Sequence, residues 1–161
     1  MSVLAPPQEP LHVVLVSPQI PPNTGNAART CAVTGCRLHI VGPLGFSLSD
    51  KEMRRAGLDY WDDVAPELHD DWPAFEARHL RGQAGRVHLF TARAEQSLFT
   101  ASFAPGDFLV FGQEQLGLPP ALLDLYPERA VSIPMLPGRR SLNLAVSVGV
   151  GVYAALRFLS R

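Results

Sequence analysis

At 161 residues, 47% of them hydrophobic, the chain is long enough to bury one substantial core, and its length favours a single domain. Its 14 basic residues stand against 15 acidic ones, a formal charge of −1, which argues against the extended polyphosphate footprint of a strongly basic protein and leaves room only for local patches. Lys51 is the sole lysine, and arginine is the cation suited to planar, bidentate phosphate contacts.

Residues 1–10 lack the basic and apolar regions of a secretory signal and read as a short flexible arm before one domain over residues 11–161. Leu11 to Val16 is a short apolar run of the kind buried on both faces of a parallel sheet. A helix is expected from about Gly25 to Thr34, with Asn23 or Thr24 as N-cap and Gly35 as the stop. Leu38 to Val41 is the second strand. Ser49-Asp50-Lys51-Glu52 then fits a capping box opening a helix that ends near Gly57 and gathers Lys51, Arg54 and Arg55.

Asp70 to Leu80 has helical spacing, and Arg86 to Phe90 and Phe108 to Phe111 read as strands joined by a turn-rich crossover over Glu95 to Gly106. A short helix over Pro119 to Leu125 precedes the last strand, Ala130 to Ile133, and the chain closes with an apolar helix from about Leu142 to Leu159. That last run is shorter than the roughly 20 residues a bilayer requires and contains Asn143 and Ser147, so no membrane segment and a cytoplasmic protein are expected. Cys31 and Cys36 read as small reduced thiols. Alternating strands and helices argue an α/β fold with a mainly parallel sheet flanked by helices.

Several chemistries lack their usual signatures. No G-x-G-x-x-G follows the first strand, no phosphate-binding P-loop is present, and no His, Cys, Asp or Glu cluster falls at metal spacing, so no metal is expected. His12, His39 and His88 alternate with apolar strand residues and read as partly buried structural imidazoles. Three polar segments remain, each leaving the carboxyl end of a strand, where open α/β sheets bind ligands: Pro21 to Arg29, Phe111 to Pro119 and Ser132 to Ala145. Gly112 could let a flat ligand approach the backbone, with Ile133-Pro134-Met135 as an apolar wall. Glu114 is either an acceptor beside that ligand or a helix N-terminal carboxylate, and Arg29 either binds substrate or is a surface arginine.

Asn23-x-Gly25-Asn26-x-x-Arg29, Phe111-Gly112-x-Glu114-x-x-Gly117-Leu118-Pro119 and Ile133-Pro134-Met135 through Arg140-Ser141-Leu142-Asn143-Leu144 resemble the three motifs of the SpoU-type (SPOUT) RNA 2′-O-methyltransferases. Ile20 to Asn26, Arg37 to Ile40 and Arg54 to Tyr60 are similar to the stand-alone members that modify the wobble position of tRNA, and the likeness spans about Leu11 to Arg157. The resemblance implies a C-terminal trefoil knot, a homodimer that builds the site from both subunits, S-adenosylmethionine as methyl donor and tRNA as substrate, with the ribose 2′-hydroxyl of cytidine or modified uridine 34 as acceptor. It assigns Arg29 to the reacting ribose or its phosphate, Asn23 and Glu114 to arranging the site, and Ser141 and Asn143 to the cofactor loop and substrate. It also places Phe90, Gly112, Ile133 and Ser141 against the cofactor. Arg29 would act as base or as stabiliser of the developing alkoxide; a guanidinium pKa above about 12 favours the stabiliser. Gln113 and Ala145 depart from the family pattern and bear on substrate choice. Two alternatives share these motifs: methylation at another tRNA or rRNA position, and a non-catalytic RNA-binding module, against which the intact Arg29, Glu114, Ser141 and Asn143 count.

Overall fold

Apolar runs build the centre of the molecule, as a computed structural model describing residues 4–5, 8–48, 60–83 and 86–160 makes plain. The strands β1 (His12–Val16), β2 (Arg37–Val41), β3 (Glu67–His69), β4 (Val87–Phe90), β5 (Phe108–Phe111) and β6 (Ala130–Val131) form one six-stranded sheet, ordered β3-β2-β1-β5-β4-β6. Every ladder is parallel. All residues of β4 and β5 are buried, as expected for strands covered on both faces.

Helices α1 (Pro21–Thr34) and α5 (Leu144–Leu159) cover one face, where Ala27, Cys31, Val148, Val152 and Ala155 close over Val13, Leu15 and Phe111. The other face is covered by the short helix α3 (Trp72–Phe75), the π-helical turn Glu76–Leu80 that continues it, and α4 (Pro120–Leu125). Each fully buried Leu or Phe contributes about 1.5–3 kcal/mol of transfer free energy, so these layers carry most of the driving force. No helix among the described residues is long and apolar enough to cross a membrane. Cys31 and Cys36 are buried free thiols.

Several boundaries differ from those expected. α1 begins at Pro21 rather than near Gly25, because Pro21 and Pro22 occupy its first turn, where a missing N–H and a fixed φ cost nothing. Asn23 and Thr24 are therefore inside the helix and neither caps it; the residue before it, Ile20, offers no side-chain acceptor. Gly35 ends the helix in the left-handed region, φ 74°, as predicted. β3 and the short α2 (Trp61–Val64) went unanticipated, since each is only a few residues long and neither has a sustained period. The last strand stops at Val131, with Ser132 continuing as a single bridge to Ser97. The capping box at Ser49 to Glu52, its helix to Gly57 and the trio Lys51, Arg54 and Arg55 lie outside the described residues.

The expected buried imidazoles are present, His12 and His39 on the α3 face and His88 on the opposite one. His12 stacks on Phe108 at 4.3 Å between ring centroids, and His39, wholly buried, meets Phe75 edge-on at 5.5 Å. Burial, reinforced by Arg37, holds His12 down at about 4; burial, reinforced by His12 and His79, holds His39 at about 2. His88 Nε2 donates to the Asp107 carboxylate at 2.8 Å, with its ring packed against Phe103.

Candidate active site at the strand ends

The order of the sheet fixes where the polar loops meet. From β1 the chain runs outward through β2 to β3 and then returns to the other side of β1, so the crevice between the carboxyl ends of β1 and β5 is the switch point of the sheet. The loop after β5 folds into a tight turn in which Gly117 N–H donates to the Gln113 carbonyl at 2.9 Å. This turn presents Glu114 to the start of α1.

Glu114 accepts hydrogen bonds from Gln19 N–H at 2.9 Å, Ile20 N–H at 3.0 Å and the Asn23 side-chain amide at 3.2 Å. It thus supplies, from 91 or more residues away, the acceptor that Ile20 cannot offer, and its negative charge faces the positive end of the α1 dipole. Asn23, nearly buried, passes the connection on: its carbonyl oxygen accepts from the Asn143 side-chain amide at 2.9 Å. Asn143 in turn caps α5, its oxygen accepting from Ala145 N–H at 2.8 Å and Val146 N–H at 3.3 Å. One network therefore joins all three polar loops.

The predicted residues divide into three groups. Asn23, Glu114 and Asn143 are brought together and spend their hydrogen bonds on one another and on helix ends. Arg29 and Ser141 are exposed, and among the described residues neither forms a hydrogen bond or ion pair. Arg29 lies six residues beyond Asn23, about 9 Å along the helix, with its guanidinium carbon 5.3 Å from the centroid of the Tyr60 ring. Phe90, Gly112 and Ile133 form the third group, at the ends of the adjacent strands β4 and β5 and just beyond β6. The Phe90 side chain belongs to the core, stacked on Phe111 at 4.4 Å, so only its backbone faces the crevice end of the sheet.

Two glycines make close approaches within the chain. A Cβ on Gly112 would run into the backbone of Gly117 and Leu118, so the missing side chain admits the returning turn. Gly151 sits over the rings of Phe90 and Phe111, where a Cβ would lie 3.0 and 3.1 Å away; its close approach is made within the chain. Gly149 faces open space.

Sequence reasoning missed three contributors. The Gln19 and Ile20 amides leave no trace in side-chain pattern, and Tyr60 stood only in a quoted motif without a role. On the α3 face, the expectation that no metal-type cluster exists is also corrected: His39, Glu67, His69 and His79 converge with their ligand atoms all within 4.8 Å of one another. Reading Glu67-Leu68-His69 as a strand would have placed its first and last side chains on one face.

The chain is similar to known proteins in sequence and in fold. The family model described as "SpoU rRNA Methylase family" matches residues 10–153. Over 147 residues the chain is 52% identical to the tRNA (cytidine(34)-2'-O)-methyltransferase of Burkholderia pseudomallei (strain 1106a), covering 91% of this chain and 94% of that protein. It is 46% identical over 151 residues to the enzyme of the same name from Escherichia coli (strain K12), covering 92% and 94%. A solved structure described as "Structural insights into the 2-OH methylation of C/U34 on tRNA" superposes with a TM-score of 0.87 at 49% identity, covering 94% of this chain and 97% of that one.

Proposed function

Because the chain belongs to the SpoU rRNA Methylase family, we propose that it is a tRNA methyltransferase acting on the ribose 2′-hydroxyl of wobble nucleotide 34, cytidine or modified uridine, with S-adenosylmethionine as donor. The names of relatives about half identical over nine-tenths of the chain support the substrate and position. The observation that carries the chemistry is the network from Glu114 through Asn23 to Asn143, which ties the three polar loops together, while Arg29 on α1 packs over the Tyr60 ring with no hydrogen bond or ion pair among the described residues.

The crevice suits the donor. Ile133 is half-buried against the core, and the amides of Ile133, Met135 and Leu136 donate to no other described residue, which gives an apolar wall edged by free backbone donors for a flat heteroaromatic group. When bound, S-adenosylmethionine supplies a methyl group on a sulfonium sulfur; transfer of that group to an oxygen calls for no metal at the reacting atoms. Gly112, Ile133 and Ser141 would hold it through their backbone, with that of Phe90 behind them.

The side chains then divide the work. Three protein donors hold the Glu114 carboxylate, so Glu114 positions the loops. Arg29 has an uncommitted guanidinium steadied over Tyr60, suited to hold a substrate phosphate and stabilise the 2′-oxygen as negative charge develops on it. The proton leaves to that phosphate or to solvent, since a guanidinium carries five donors and no lone pair to accept it. Holding acceptor and donor in line supplies much of the acceleration. Incubating the protein with labelled methyl donor and unmodified tRNA, followed by mass-spectrometric mapping, tests the reading: 2′-O-methylation at nucleotide 34 supports it, and methylation elsewhere or none refutes it.

The same reading makes the protein a cytoplasmic homodimer, a single domain after a short arm, with its C-terminal segment threaded as a trefoil knot. Support for the dimer comes from α5, whose outer side exposes Val146, Val150 and Tyr153 around the open Gly149, an apolar stripe too wide for a solvated helix face. Support for the threading comes from the path: after the edge strand β6 the chain turns back across the sheet to lay α5 beside α1. A monomer in sedimentation at micromolar concentration with full activity would remove the dimer, and a crystal structure would decide the threading.

A further inference from the structure

The histidine cluster on the α3 face has no part in the methyl-transfer reading, yet its geometry is that of a ligand set. His39 lies opposite Glu67 in the β2–β3 ladder, and His69 lies opposite Val41, so Glu67 and His69 project from the same side of the edge strand toward His39. The π-helical turn over Glu76–Leu80 brings His79 down onto them. His39 Nδ1 is 3.3 Å from His69 Nε2, and His79 Nε2 is 3.1 Å from a Glu67 carboxylate oxygen. In a tetrahedral centre with bonds of about 2.0–2.1 Å, neighbouring ligand atoms stand about 3.3 Å apart. Two edges of such a tetrahedron are therefore already close to their required length. The remaining separations, none above 4.8 Å, close by rotation of the side chains.

We propose that His39, Glu67, His69 and His79 form a structural zinc(II) site that fastens the edge strand β3 and the π-helical turn to β2. Three imidazoles and one carboxylate are the donor set that borderline-soft zinc takes, and four protein ligands leave no open position for hydrolytic chemistry. The surroundings support the ligands as outer partners of metal sites do: the far nitrogen of His39, Nε2, is 2.8 Å from His12 Nδ1, a contact that fixes the ring and turns Nδ1 toward the cluster. His39 and His69 are buried, and the Glu67 and His79 side chains are 34% and 17% exposed, enough for entry from one side. Arg78 reaches the same Glu67 oxygen at 3.6 Å, but its side chain is 66% exposed and free to swing into water, so this surface ion pair is a weak competitor.

The test uses the full-length protein freed of metal with a chelator. Calorimetric titration with zinc(II) should show one ion per chain bound more tightly than about 1 μM, with a rise in melting temperature, and cobalt(II) should give the visible absorption of a tetrahedral centre. His79→Gln and Glu67→Gln, both on the partly exposed side, should each weaken zinc binding about a hundredfold or more while leaving the circular dichroism of the metal-free protein unchanged. His12→Asn should weaken it about 10–100-fold through the lost outer contact. Absence of saturable binding at that level would overturn the proposal and leave a chain of hydrogen-bonded imidazoles; so would binding unchanged in both ligand variants, which places the ion elsewhere.

Discussion

The loop network and the histidine face share one sheet but are held by opposite means. Glu114, Asn23 and Asn143 come from loops and helix starts and bind mainly by side-chain hydrogen bonds that double as helix caps. His39 and His69 are set by strand register and by rings packed edge-on against Phe75, and His79 by the π-helical turn that lays its ring over Phe75. In the first region each contributor sits in a run of neighbouring polar residues, because a loop must position itself locally. In the second the contributors are scattered over β2, β3 and the turn after α3, and only the pairing of β2 with β3 and the fold of that turn bring them together. Function carried by contiguous loops is therefore easier to perturb without touching the sheet.

Arg29→Ala should give the largest effect on the loop side. Loss of a preorganised electrostatic group should lower single-turnover methyl transfer at least about 10²-fold while calorimetric binding of S-adenosylmethionine survives. Arg29→Lys should stay well below wild type, since a point charge lacks the planar pair of donors. Near-normal turnover in both variants would leave Arg29 a surface residue and erase the functional contrast between the two regions.

Gly112→Val should displace the Gln113–Gly117 turn, because the new side chain meets the backbone of Gly117 and Leu118. Overpacking of this kind costs about 1–3 kcal/mol, so both the denaturation midpoint and activity should fall. Unchanged stability with weakened cofactor affinity would support the view that Gly112 makes room for the ligand.

Glu114→Gln keeps the shape but removes the charge facing the α1 N-terminus and turns one acceptor into a donor. A loss of about 1–2 kcal/mol is expected in chemical denaturation, with activity reduced by misplacement of Asn23 and Asn143. Full activity would mean that the network only decorates the loops.

Tyr126→Phe sharpens the comparison from the other side, with the smallest effect. Tyr126 donates to Glu76 at the start of the π-helical turn, and burial, followed by the Glu76 hydrogen bond, raises its hydroxyl to about 12. The folded state holds this proton where the unfolded chain, titrating near 10, has lost it. The associated stability is full below pH 10 and disappears as pH rises through about 12. The variant should lose about 1 kcal/mol at neutral pH and show a shallower alkaline decline, with methyl transfer unaffected.

How much could be read from the chain follows the same division. The strands over His12–Val16, Arg37–Val41, Val87–Phe90 and Phe108–Phe111 were legible because burial on both faces demands unbroken apolar runs. The three loops were legible because Gly, Asn, Arg and Glu stand where an apolar element should begin. The start of α1 was misjudged because its acceptor, Glu114, comes from a distant loop, and a side chain supplied across the fold leaves no local capping signal. β3 escaped because three residues are too few to show a period, and with it went the meeting of Glu67 and His69 with His39.

The account stands most directly on one hydroxyl. A full-length tRNA substrate made with a 2′-deoxynucleotide only at position 34 removes the proposed acceptor oxygen and leaves every other ribose in place. With labelled S-adenosylmethionine, incorporation should fall to background for this tRNA and remain at the wild-type level when the deoxynucleotide is moved to position 32. Equal incorporation into both would contradict a 2′-O-methyltransferase of the wobble nucleotide.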